Sequence, residues 1–154
     1  MAKKMARRKL SPEKRYVLDR ELVRAVEAEG ISFQAFSSKL ATKRRILRAY
    51  GYEYLQGKKE PLRLSECSDA RITHTLQNTY EYAKRRVEEF EVTVRESDDY
   101  RNLVGLIEAE KSLEGDELVT ARERTGIVMN SAPEQVLSLL SEKYGRGVMG
   151  EYYR

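Results

Sequence analysis

Cys67 and His74 are the one thiol and the one imidazole in the chain, seven positions apart. On a helix that spacing is close to two turns and one face. A thiolate beside an imidazole pairs a nucleophile with its base. No third group stands nearby to orient the histidine, and no source of oxyanion donors accompanies them. A structural cysteine and histidine are therefore the expectation, and no catalytic residue is assigned. The same two residues supply a metal with only half of a tetrahedral ligand set, so no metal site and no cofactor are expected. Gly145-Arg146-Gly147-Val148-Met149-Gly150 spells G-x-G-x-x-G, a pyrophosphate loop when it joins a strand to a helix. Only four residues follow it, so it reads as part of a Gly/Tyr tail over 145–154.

The cations are a different kind of signal. Lys3, Lys4, Arg7, Arg8 and Lys9 form an arm with no acid in the first twelve residues. Lys14 and Arg15 extend it, Lys39, Lys43, Arg44, Arg45 and Arg48 follow, and Lys58 and Lys59 come after them. Phosphate binding needs many cations rather than a fixed motif, and neutralising Z phosphates gives a salt slope of about −0.9Z. These fourteen residues are the candidate nucleic-acid-binding set; the competing reading is a solvated basic surface. Residues 1–63 hold 17 Lys and Arg against 7 Asp and Glu, while residues 64–154 hold 12 against 18. A net of +10 at one end and −6 at the other points to a polyanion partner for the first part and to solvent or self-packing for the second.

The elements that must position these groups are mainly helical. Ser11-Pro12-Glu13 is a helix start, with a capping hydroxyl, proline at the first position and an acid in the first turn. Leu18, Leu22 and Val26 continue that helix to a stop at Gly30. Ser32 caps a second helical stripe through Phe33, Phe36, Leu40 and Leu47, with a break expected near Thr42 where Lys43 and Arg44 interrupt it. Tyr50, Tyr52 and Tyr54 then alternate, as do Leu62 and Leu64 across Gly57-Lys58-Lys59. That predicts a small β-hairpin over 50–64, with continued helix as the alternative.

Beyond Ser68 the spacing of Ile72, Leu76, Tyr80, Ala83, Val87, Phe90 and Val94 predicts a long amphipathic helix. From Asp69 to Glu96 it would span roughly 42 Å at 1.5 Å per residue, more than a small core covers. Ile72, Leu76, Tyr80, Val87, Phe90, Val94, Leu103 and Ile107 are therefore assigned to self-assembly. Phe90, Val92 and Val94 also alternate, which leaves a strand open for the last turns. Ser97 opens a partner helix ending at Gly115, a short helix is expected over 117–125, and Ser131 to Glu134 opens a last one through Tyr144.

The expected fold is thus mainly α, helical hairpins or a bundle with a basic N-terminal arm and a small hairpin acting as a wing. Four regions are expected: the arm over 1–10, a basic helical nucleic-acid-binding region over 11–64, an acidic helical assembly region over 65–144, and the tail. The core is aliphatic, since the chain has no Trp and three Phe. One cysteine excludes an intrachain disulfide. No apolar stretch follows the arm, so no secretion signal is expected, and no run approaches the ~20 apolar residues of a membrane span.

Two kinds of nucleic-acid binder fit. A helix-turn-helix over residues 22–40 puts Lys39 where an apolar residue belongs. A winged helix built from 11–29, 32–40 and 42–50 does better, sending Lys43, Arg44, Arg45 and Arg48 to the major groove and Lys58 and Lys59 to the wing. That describes a dimeric transcriptional regulator. The other is a DNA-coating or compacting protein. The basic arm from Lys3 to Lys9, the helices opened by Ser11 and Ser32, and the Ser97-capped hairpin resemble the helical major capsid proteins of filamentous archaeal viruses. The resemblance covers size and element order, with the 50–64 hairpin as a departure. It implies two copies, or a copy and a paralogue, wrapping double-stranded DNA in A-form without catalysis. The expected partners are double-stranded DNA, with RNA as the other polyanion, and the chain itself or a paralogue; the expected location is a virion or the cytoplasm.

Overall fold

A computed structural model describes residues 10–55 and 60–152. The expectations for Lys3, Lys4, Arg7, Arg8, Lys9, Lys58 and Lys59 lie outside the described residues. Among the described residues the chain is mainly helical, with seven helices and one small antiparallel sheet. It divides into two compact units, Met1–Glu88 and Glu89–Arg154.

The first unit opens with α1 (Pro12–Ala28), capped as expected: Ser11 Oγ accepts from Lys14 N at 3.2 Å. Gly30, at φ +61°, closes it, with Gly30 N donating to Glu27 O and Ile31 N to Val26 O at 3.3 and 3.2 Å. This bond pair requires a left-handed residue after the helix, where glycine carries no Cβ penalty. Next come α2 (Leu40–Tyr50), β1 (Tyr54–Leu55) and β2 (Leu62–Arg63), a single 3₁₀ turn (Leu64–Glu66), and α3 (Asp69–Arg95). A hairpin forms within the expected 50–64 but is shorter: Tyr50 ends α2, Leu64 opens the 3₁₀ turn, and the strands are two residues each. Tyr54 lies opposite Arg63 and Leu55 opposite Leu62.

The helix expected from Ser32 to Leu40 does not form. Its cap chemistry is present, since Ser32 Oγ accepts from Gln34 N and Ala35 N, both at 3.2 Å, but the segment runs through bends and turns. A helix would use the Ala35 and Phe36 carbonyls for N–H groups four residues on. Here the Lys43 ammonium takes both, at 3.1 and 3.3 Å, and Thr73 Oγ1 donates to Phe36 O at 3.1 Å. Lys39, with φ +52°, then sets the chain into α2.

The core of the first unit joins Leu22 and Val26 of α1, Ile46 and Leu47 of α2, Leu55 of the hairpin, Leu64 and Cys67, and Ile72, Leu76 and Ala83 of α3. The expected boundary at residue 64 is therefore displaced: α3 as far as Glu88 packs with the basic helices. A buried polar tie crosses this core. Asp19 is fully buried and receives Arg86 Nε and Nη2 at 2.9 and 3.1 Å and the Tyr50 hydroxyl at 2.6 Å. One carboxylate thereby fastens α1, α2 and α3 through charge-assisted bonds.

In the second unit Ser97 serves two helices, donating to Val94 O at 2.6 Å and capping α4 (Asp98–Glu110) through Tyr100 N at 3.3 Å. The residues Phe90, Val92 and Val94 are helical, not a strand. α5 (Gly115–Asn130) is longer than the expected 117–125 and passes through Gly126. α6 (Glu134–Tyr144) follows, with Pro133 rather than Ser131 at its cap. The described part of the tail, residues 145–152, is structured: Gly145, at φ +91°, turns the chain into α7 (Arg146–Gly150). Tyr100, Leu103 and Ile107 of α4 pack with Met129, Val136, Leu139, Leu140, Met149 and Tyr152. Among the described residues no helix is long and apolar enough to cross a membrane.

Candidate nucleic-acid interface

The basic residues concentrate on α2, and an eleven-residue helix that packs on a core cannot turn all of them outward. Lys43 shares the inward face with Ile46 and Leu47 and is fully buried, its ammonium bonded to Thr73 Oγ1 at 2.9 Å as well as to the two carbonyls. Burial pushes its pKa below the usual lysine value, with Asp69 pulling the other way. Lys43 is thus corrected from a candidate DNA contact to a structural plug. Arg44 is half-buried and donates Nε to Leu64 O at 3.0 Å and Nη2 to Cys67 O at 3.4 Å, clamping the exit of β2 onto α2. Arg15 is half-buried, and burial and the Asp19 bond raise the Tyr50 phenol pKa while Arg15 acts weakly the other way. Lys39 bonds Glu29 O.

What stays accessible is a smaller set. Lys14 and Arg48 are exposed. Arg45 pairs with Glu29 at 3.3 Å with both side chains exposed, a contact worth about 0–1 kcal/mol that a phosphate can displace. The sequence reading missed Arg63, which joins Arg48 in an open cleft of about 580 Å³ lined also by Glu53, Tyr54, Leu64 and Ser65. Register places it there. Directly opposed residues of an antiparallel pair project to the same face, so Tyr54 and Arg63 point outward together while Leu55 and Leu62 turn to the core. The available signal was the alternation of Leu62 and Leu64, which leaves Arg63 on the opposite face, but only the pairing register places it beside Tyr54.

The structure does not bring Cys67 and His74 into a dyad. The Cys67 thiol is buried before α3 and donates to Arg63 O at 3.4 Å, with its pKa raised by burial. The His74 ring meets Phe36 edge-on at 5.0 Å. The G-x-G-x-x-G segment follows a helix rather than a strand, and its Met149 is a core residue. Among the described residues no group of three or more His, Cys, Asp or Glu is placed to hold a metal ion.

The residues assigned to self-assembly are largely interior. Ile72 and Leu76 are buried in the first unit and Leu103 and Ile107 in the second. Tyr80 packs on the first core and donates its hydroxyl to Glu27 at 2.7 Å, and Val94 packs on the second. Only Val87 and Phe90 are half-buried outside the two cores. Most of the stripe that implied a partner chain is thus covered within this one. No family model matches the chain, and neither a curated protein nor a solved structure is detectably similar to it.

Proposed function

We propose that this chain is a non-enzymatic nucleic-acid-binding protein whose first unit coats double-stranded DNA through its phosphates. The carrying observation is that the charge split seen at residue 63 is unchanged at the structural division after Glu88, because residues 64–88 are neutral. Residues 1–88 hold 21 Lys and Arg against 11 Asp and Glu, net +10, and residues 89–154 hold 8 against 14, net −6. Seven of those cations are Lys3, Lys4, Arg7, Arg8, Lys9, Lys58 and Lys59, so the arm and the hairpin loop carry most of the excess. A duplex attracts the first unit and repels the second.

Coating, as in the capsid proteins of filamentous archaeal viruses, also requires contacts between copies. With most of the long apolar stripe interior, those contacts fall to exposed side chains of the second unit such as Val119, Ile127 and Val148. The regulator reading is weaker, because its middle helix over 32–40 is absent. Titration of mixed-sequence duplex with the whole chain is the test. Binding should be indifferent to sequence, saturate at one protomer per few base pairs, and weaken about 10³-fold or more between 50 and 200 mM salt. Saturation at sparse sites that resist unrelated competitor DNA would overturn coating in favour of sequence reading.

A further inference from the structure

We infer that the cleft between the end of α2 and the hairpin binds one unpaired nucleotide of a nucleic-acid strand, its base stacked on Tyr54 and its phosphate held by Arg48 and Arg63. This deepens the proposed function and rests on it. Four observations converge on the cleft. Its volume, about 580 Å³, lies within the roughly 300–1,000 Å³ of ligand-binding sites. It is open and polar, which suits a polymer segment passing across better than an enclosed small molecule. Tyr54 keeps 38% of its surface exposed, although a tyrosine ring gains by covering. Arg63 is fixed beside it by register, and Arg44, one turn before Arg48 on α2, clamps the adjoining Leu64 carbonyl at 3.0 Å.

An exposed ring flanked by two guanidinium groups is the arrangement that holds single strands: the ring takes a base face and the cations follow the backbone. Glu53 also lines the cleft and repels a phosphate, which leaves the arginines to hold it. Ser65 adds a hydroxyl donor there. In a paired duplex the base faces are stacked on one another and closed to Tyr54, so the ring distinguishes single from double strands while the arginines do not.

The test is fluorescence anisotropy of the whole chain with a labelled twelve-nucleotide single strand and with the same sequence as a duplex, at fixed salt. Tyr54→Leu should weaken single-strand binding about tenfold and leave the duplex within about twofold. Arg48→Gln and Arg63→Gln should weaken both and each lower the salt slope by about 1. All three side chains are exposed or lie at the rim, and an unchanged melting temperature certifies each variant as folded. Equal loss on both substrates in Tyr54→Leu overturns base stacking. Wild-type duplex binding that all three variants leave unchanged overturns the cleft while sparing the proposed function. A wild-type chain that binds neither strand form overturns both.

Discussion

Both units bury a carboxylate, but they neutralise it differently. In the first, one cation and one carboxylate are drawn inward: Lys43 satisfies backbone carbonyls and a threonine, and the buried Asp19 is met by a partly exposed Arg86. In the second, a carboxylate is drawn inward and met by hydroxyls. Glu110, 7% exposed, accepts from Tyr152 at 2.6 Å and Thr125 at 2.7 Å, with Arg122 at 3.7 Å. Among the described residues the first unit thus buries one charge of each sign, and the second buries only the sign it has in excess. A count of charged residues consequently overstates what either unit presents to a partner, and a cation's place in the fold decides whether it is available to phosphate.

The comparison can be broken most forcefully at Asp19. Arg86→Ala leaves a fully buried carboxylate with only the Tyr50 hydroxyl as partner, and removing one member of such a pair costs about 3–5 kcal/mol. Chemical denaturation should register that loss; a change below about 1 kcal/mol would mean the pair behaves as a surface contact. Lys43→Met follows, at about 2 kcal/mol, because Thr73 Oγ1 loses its donor and the Ala35 and Phe36 carbonyls are left with one donor each, Ser38 N and Thr73 Oγ1. Its DNA affinity, measured where the protein remains folded, should not change, which separates it from Arg48→Gln.

Tyr152→Phe should cost about 1 kcal/mol, since Glu110 keeps Thr125. Alkaline pH probes the same bonds. Burial, together with the hydroxyl bonds to Glu110 and Glu108, raises the pKa of Tyr152 and of Tyr144. A raised phenol pKa means the folded state holds its proton longer than the unfolded state. That stability is fully present below about pH 10 and is lost as pH rises further. Melting temperature should therefore fall more steeply above pH 10 in the wild type than in a Tyr144→Phe/Tyr152→Phe chain; equal slopes would remove the hydroxyls from the account. The smallest effect is on stability in Arg48→Gln, within about 0.5 kcal/mol, despite its loss of DNA affinity.

Much of the fold was legible because its signals are local. Ser11-Pro12-Glu13, Gly30 and the α3 stripe each state a backbone preference that the packing obeys. Two features were not. Ser32 carries the signature of a helix start, but the carbonyls needed to propagate it are taken by Lys43 and Thr73, from eight and 38 residues beyond Ala35. A long apolar stripe reports that it is covered, not by what, and here α1, α2, α4 and α6 cover most of it and its continuation within their own units. Of the candidate cations, spacing could not sort Lys43 and Arg44 from Arg48, because the inward face of α2 is set by the core it meets.

The division of labour between the units is tested most directly by mapping photo-crosslinks from a bromouracil-substituted duplex onto the whole chain. The account predicts crosslinked peptides confined to residues 1–88, with those containing Lys14, Arg48 and Arg63 among them. Crosslinks concentrated in residues 89–154 would contradict it, as would a duplex that acquires none.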